Sequence, residues 1–231
     1  TIVTKKFYFV FLFLKNFFSM DAPFFSVIIA TFNRQNLLMR AIKSLENQKD
    51  KDWEAIIVDD GSTDETYLYC INLCRDDKRF SYIFKQNQGP AFARETGIKI
   101  AKGRYITFLD SDDEYEGDHL ILRKRILIEN PFIDFLYGGY KVIGSKYVPD
   151  MYNPNQLISL EKCVVGGTFF IRRTIVDKLG GIPKIEYGED AKLYELVKSC
   201  GLIVKKVDFP TYIYHRDYET SRTKSYEKGK I

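Results

Sequence analysis

The chain predicts an α/β fold with a mostly parallel central sheet flanked by helices on both faces. Apolar runs of strand length alternate with segments of helical period through the first half, the order that parallel pairing by right-handed crossovers requires. Polar clusters at 31–34, 59–64 and 110–113 each follow directly on one of those apolar runs. In open sheets of this kind the ligand crevice lies outside the carboxyl ends of the strands, so the three clusters are expected on one rim.

The first strand is the continuous run Phe25 to Ala30. Leu37, Leu38, Ala41, Ile42 and Leu45 then recur at helical spacing. A second strand, Ala55 to Val58, ends in Asp59 and Asp60. Ser62 and Glu65 have the spacing of a capping box, predicting a helix that carries Leu68, Ile71 and Leu73. Phe80 to Phe84 reads as a strand, Pro90 to Ala101 as a helix closed by Gly103, and Tyr105 to Leu109 as a fourth strand. Asp118 is placed to cap a helix running through Ile128. From Asp134 the pattern is less regular: strand-like pieces at Phe135–Tyr137, Lys141–Val148, Thr168–Ile171 and Ile203–Val207, and a helix from Glu189 ending before Gly201.

Composition excludes several classes. A hydrophobic fraction of 45% and an aromatic fraction of 15% belong to a chain that builds a core. The 35 basic and 31 acidic residues are mixed along the chain, which argues against a nucleic-acid partner. The four cysteines show no metal-ligand spacing and read as reduced thiols of a cytoplasmic protein. The apolar stretch Phe7 to Leu14 is too short to span a membrane, which takes roughly 20 residues. Residues 1–19 are read as a leader outside the core, with Met20 the expected natural start and an amphipathic membrane anchor the alternative. Residues 20–231 are read as one domain in two halves, 20–116 and 117–231.

The strongest chemical signal is Asp110-Ser111-Asp112-Asp113 after Ile106-Thr107-Phe108-Leu109. Carboxylates two apart on a segment leaving a buried strand can approach one hard cation together, as Mg²⁺ or Mn²⁺ sites completed by phosphates require. Asp59-Asp60-Gly61-Ser62-Thr63-Asp64 combines a tight turn with exposed acceptors for a base or ribose. Asn87 to Arg94 opens a helix in which Arg94 stands one turn from the start, where a guanidinium can reach phosphate.

Taken with Ser26 to Arg34 and Gly97, these motifs in this order strongly resemble the family-2 glycosyltransferases of the GT-A fold, over nearly all of Phe24 to Glu116. The resemblance implies that Thr31, Asn33 and Arg34 line a nucleotide pocket and that Asp60, with Asp59 beside it, meets a uracil-type base. It further implies that Arg94 helps hold the nucleotide, that Asp110 faces the ribose with Ser111 next to it, and that Asp112 coordinates a divalent metal, Mn²⁺ or Mg²⁺. It resumes at Gly166 to His215: Gly167 and Thr168 match the acceptor-side segment, and Glu189 and Asp190 open the helix where the family keeps its catalytic base. In that helix Ala191 and Leu196 stand where the family often has an aromatic and an arginine. His215 matches a histidine near the metal, and Arg222 is a candidate for neutralising the leaving diphosphate.

The implied activity is inverting transfer of a sugar from a nucleoside-diphosphate donor, UDP by preference, to a hydroxyl of a glycan or lipid-linked acceptor. Its expected place is the cytoplasm, with peripheral association at the inner membrane face as an addition. A non-catalytic nucleotide-sugar-binding protein is the competing class, disfavoured by the Glu189-Asp190 pair. A phosphohydrolase is disfavoured by Glu114 two residues past Asp112, and a nucleotidyltransferase by Thr31-Phe32-Asn33-Arg34 in place of a glycine-rich loop. Processive synthesis is disfavoured by the absence of a Gln-x-x-Arg-Trp motif.

Overall fold

Strand β1 (Phe25–Thr31) is mostly apolar because both of its faces are covered. Phe25, Val27 and Ile29 point into one core and Ile28 into a second. Strand β2 (Trp53–Asp59) alternates in the same way, Ala55 and Ile57 against Ile56 and Val58. This is the period-two signature of a strand buried on both sides. The computed structural model describes residues 22–185 and 187–217.

Helices α1 (Gln35–Glu46), α2 (Thr66–Asp76) and α4 (His119–Glu129) supply the first core, through Leu38, Ala41, Ile42 and Leu45, through Cys70, and through Leu120 and Leu127. Helices α3 (Pro90–Ile100) and α5 (Glu189–Ser199) supply the second, through Ala91 and Ala93 and through Leu193 and Val197. Each core mixes residues of both chain halves: Phe25 meets Phe170 edge-on at 5.1 Å between ring centroids. Gly97 sets how closely α3 lies on the sheet, since a Cβ there would stand 2.7 Å from Ile28 Cγ2.

The central sheet also contains β3 (Phe80–Phe84), β4 (Tyr105–Phe108), β6 (Phe135–Tyr137), β10 (Phe170–Arg172) and β11 (Val204–Lys206), in the order β11-β6-β10-β4-β1-β2-β3. All its pairings are parallel except those of β10, which runs antiparallel to β4 and β6. A smaller sheet joins β5 (Glu114–Tyr115), β12 (Tyr212–Arg216) and β7 (Tyr140–Gly144), and β8 (Tyr147–Pro149) pairs with β9 (Leu157–Ser159). The fold is the expected α/β architecture with a mostly parallel sheet between helices.

Several local expectations are corrected. The Ser62–Glu65 capping box does not form: α2 starts at Thr66, and Ser62 Oγ instead accepts from Asn33 N at 2.8 Å. That loop-to-loop bond sets the entry of α2, which buries Thr66 and Cys70 and leaves Leu68 59% and Ile71 43% exposed. Asp118 makes no side-chain cap on α4; its carboxylate pairs with Lys49 Nζ at 2.7 Å. The run Lys141–Val148 breaks at Gly144, whose φ of 98° ends β7, and its two parts join different sheets. Thr168 lies in a short 3₁₀ turn, Gly166–Thr168, ahead of β10. The leader and Arg222 lie outside the described residues.

Candidate active site

The carboxyl ends of β1, β2 and β4 and the amino end of α5 open on one cavity of about 650 Å³. Thr31, Arg34, Asp60, Arg94, Asp110, Ser111, Asp112, Glu189, Asp190 and His215 all line it. Asp60 and Asp112, from different strand ends, therefore share one enclosure. Thr31 is 3% exposed, and its Oγ1 has no hydrogen-bond partner among the described residues.

Asp60 is bonded by its own chain: its carboxylate accepts from Lys85 Nζ at 2.7 Å, Gln88 N at 3.1 Å and Gly89 N at 2.6 Å. It thereby fixes the loop that delivers α3. Asp59 is fully buried and does not line the cavity; it accepts from Ser62 N at 2.8 Å and Tyr82 Oη at 2.7 Å, holding the Gly61 turn. Asn33 also lies off the lining: with φ of 51° its side-chain Oδ1 accepts from Thr63 N at 2.7 Å. Short asparagines tolerate this left-handed conformation best after glycine. Asp59 and Asn33 thus build the wall rather than face into it.

The acidic turn is surrounded by arginines. Arg34 Nη1 lies 3.0 Å from Asp112 Oδ2, and Arg40 donates to the Asp112 carbonyl and sits 3.3 Å from Glu114. Arg94 does more than reach a nucleotide: Nη2 is 2.5 Å from Asp110 Oδ1 while Nη1 contacts Glu189 Oε1. Burial opposes its charge, yet Asp110 holds the guanidinium protonated. It ties the turn after β4 to the first turn of α5.

Asp190 opens α5 with Oδ1 accepting from Ala191 N at 2.8 Å and Oδ2 from Gly166 N at 3.3 Å. Burial raises its pKa above the usual aspartate value, opposed by the Ala191 amide, the Arg94 charge and the Gly166 amide. The helix terminus alone suggests a carboxylate more acidic than usual; desolvation wins here and makes it a stronger base. Burial likewise raises Asp112, with Arg34 pulling down and Asp110 pushing up. Asp113 is raised further, by burial and then by the charges of Asp112 and Asp110.

Gly167 and Thr168 do not line the cavity. Thr168 Oγ1 donates to Val165 O at 2.7 Å and accepts from Gly138 N at 3.1 Å, securing the turn before β10. His215 is nearly buried, with Nε2 2.8 Å from Glu114 Oε1. Sequence reasoning missed Phe169, Tyr187 and Tyr214, which also line the cavity. The period-two register of β12 could have drawn attention to Tyr214, but its short polar context hid the strand.

No group of three or more His, Cys, Asp or Glu side chains among the described residues forms a ready metal cage. Mg²⁺ sites commonly use one or two carboxylates and complete themselves with phosphates and water. Asp110 and Asp112 fit that pattern: both line the cavity, and burial together with Asp110 disfavours the charge on Asp112, a penalty a cation relieves.

The family model described as Glycosyl transferase family 2 matches residues 26–180, more than half of the chain. The chain belongs to glycosyl transferase family 2. This family 2 chain is 30% identical over 164 residues to the Escherichia coli UDP-Glc:alpha-D-GlcNAc-diphosphoundecaprenol beta-1,3-glucosyltransferase WfgD, covering 68% of the chain and 64% of that relative. It is 50% identical over 94 residues to the Campylobacter jejuni GalNAc(5)-diNAcBac-PP-undecaprenol beta-1,3-glucosyltransferase, covering 40% of the chain and 30% of the relative. A Rickettsia felis protein named as an uncharacterized glycosyltransferase is 45% identical over 121 residues, 52% of the chain, but the match spans only 20% of that relative's length.

Among solved structures, S. aureus TarS 1–349 in complex with UDP-GlcNAc superposes with a TM-score of 0.72 at 24% identity, over 87% of the chain and 60% of TarS 1–349. The mannosyltransferase PcManGT from Pyrobaculum calidifontis, in complex with GDP-Man and Mn²⁺, gives 0.66 at 18%, over 84% and 57%. The fold is that of the GT-A glycosyltransferases.

Proposed function

We propose that the chain transfers a sugar, with inversion, from a nucleoside diphosphate to a hydroxyl of a lipid-diphosphate-linked glycan. The observation that carries this reading is that Asp190, a half-buried carboxylate of raised pKa, opens on the same cavity as Asp110 and Asp112. UDP is the preferred nucleotide and an undecaprenol-diphosphate glycan the preferred acceptor, because WfgD carries both in its name. No helix among the described residues is long and apolar enough to cross a membrane.

In this reading Asp190 takes the acceptor proton on a carboxylate whose two oxygens are held in place, Oδ1 by the Ala191 amide and Oδ2 by the Gly166 amide. Thr31 and the Asp60-fixed loop line the nucleotide side, and Asp110 faces the ribose with Ser111 beside it. Arg34, next to Asp112, offers cationic compensation to the departing diphosphate, a role Arg222 would share from outside the described residues. Asp112, with His215 near it, would hold Mn²⁺ or Mg²⁺, which when bound supplies Lewis-acid stabilisation of the diphosphate. Glu189 would serve the acceptor side through its hold on Arg94.

The reading is tested by transfer from UDP-sugars to an undecaprenol-diphosphate glycan, with the anomeric configuration of the product read by NMR. Inversion is expected; a retained configuration excludes direct displacement by a base-activated acceptor. The pH profile follows from the sign of the shift. A raised folded-state pKa means that Asp190 loses its base form as pH falls through a value above the ordinary aspartate pKa, about 3.9. The acid limb of kcat is therefore expected above that value and absent in Asp190→Asn.

A further inference from the structure

The fourth residue of the acidic motif, Asp113, is fully buried and does not line the cavity. Its amide donates to Asp110 O at 3.0 Å, which closes the turn. Its two carboxylate oxygens go to one strand: Oδ2 accepts from Tyr212 Oη at 2.5 Å, and Oδ1 from His215 N at 2.8 Å. The reason lies in the small sheet. Strand β5 pairs with β12 only at Tyr212–Tyr115 and Ile213–Glu114, so the antiparallel ladder ends before His215. The His215 amide on that edge is received by a side chain instead of a backbone carbonyl, and a buried amide left without an acceptor is costly.

Tyr212 is held from the other side as well. A Cβ at Gly167 would stand 2.1 Å from the Tyr212 hydroxyl oxygen, so the glycine leaves room for the phenol that bonds Asp113. Around the rim the link is completed by His215 Nε2 to Glu114, Glu114 to Arg40, and Arg40 to the Asp112 carbonyl. The amide of His215 and its ring are thus both referred to the same acidic turn.

We propose that Asp113 is a positioning residue that, through Tyr212 and the His215 amide, fixes β12 so that His215 stays on the wall of the cavity that Asp110 and Asp112 also line during sugar transfer. This rests on the reading of the cavity as the transfer site. Asp113 touches no substrate; it acts through His215. A double-mutant cycle separates this role from general support of the fold. Asp113→Asn is expected to lower kcat for transfer about tenfold, and to lower it less than about twofold when introduced into His215→Ala. Equal losses in both backgrounds would overturn the proposal, because a purely structural role does not depend on the histidine. Tyr212→Phe, which keeps the ring against Gly167, is carried through the same cycle and covers the case in which Asp113→Asn does not fold. It is expected to show a smaller loss with the same dependence on His215, and equal loss in both backgrounds overturns the proposal here too. A wild-type chain without transfer activity would overturn the reading of the site and this inference with it; an active wild type with additive variants overturns only the inference.

Discussion

Asp190→Asn is expected to reduce kcat for transfer about a thousandfold, within the range by which a positioned general base accelerates a reaction. Asparagine keeps an oxygen for the Ala191 amide, which now lies 2.8 Å from Asp190 Oδ1, so the start of α5 survives the change. What disappears is the capacity to accept a proton, together with the acceptor for the Gly166 amide, 3.3 Å from Asp190 Oδ2, which a side-chain NH2 does not replace. Calorimetric titration with UDP is expected to give an affinity within about twofold of wild type, since uniform binding and transition-state stabilisation separate in this way. Near-normal transfer by this variant would remove Asp190 from the role of base.

The second large effect is on stability and pH dependence together. The Arg94 side chain is only 17% exposed and stands between Asp110 and Glu189. Arg94→Met keeps much of the packing and leaves two partly buried carboxylates without their shared cation, a change that costs about 3–5 kcal/mol in comparable pairs. At about 2–4 °C per kcal/mol for a domain of this size, Tm is expected to fall by about 6 °C or more. The Arg94 charge lowers the pKa of Asp190, so its removal raises that pKa further and moves the acid limb of kcat to higher pH. Differential scanning calorimetry and a pH series read the two effects separately. An unchanged Tm with an unchanged limb would show that the bridge contributes neither.

The sheet was legible in the sequence because its central strands are buried on both faces. Continuous apolar runs such as Phe25 to Ala30 and Ala55 to Val58 leave little alternative. The motif that ends β4 was legible for a related reason: carboxylates directly after a buried strand of an open sheet stand at the rim where ligands bind. Less legible was which carboxylates face the cavity and which hold its walls. Asp59 and Asp60 are neighbours, yet one is sealed beneath the Gly61 turn and the other reaches the lining, because successive residues leaving a strand point to opposite sides. Asp113 beside Asp112 repeats the pattern. The bridge made by Arg94 joins residues 16 and 95 positions away, and no local spacing announces such a contact. The short strands β5, β9 and β12 were hidden as well, since their pairing partners are set by tertiary packing rather than by period.

Carboxylates from separate strand ends are expected to serve one nucleoside diphosphate. Crystals grown with UDP and Mn²⁺ and measured at the manganese absorption edge test it most directly. The expected result is an anomalous peak within coordination distance of the Asp112 carboxylate, with the base of the nucleotide on the Thr31 and Asp60 side of the same cavity. Manganese held away from Asp112, or UDP bound outside the enclosure that Asp60, Asp112 and Asp190 share, would contradict it.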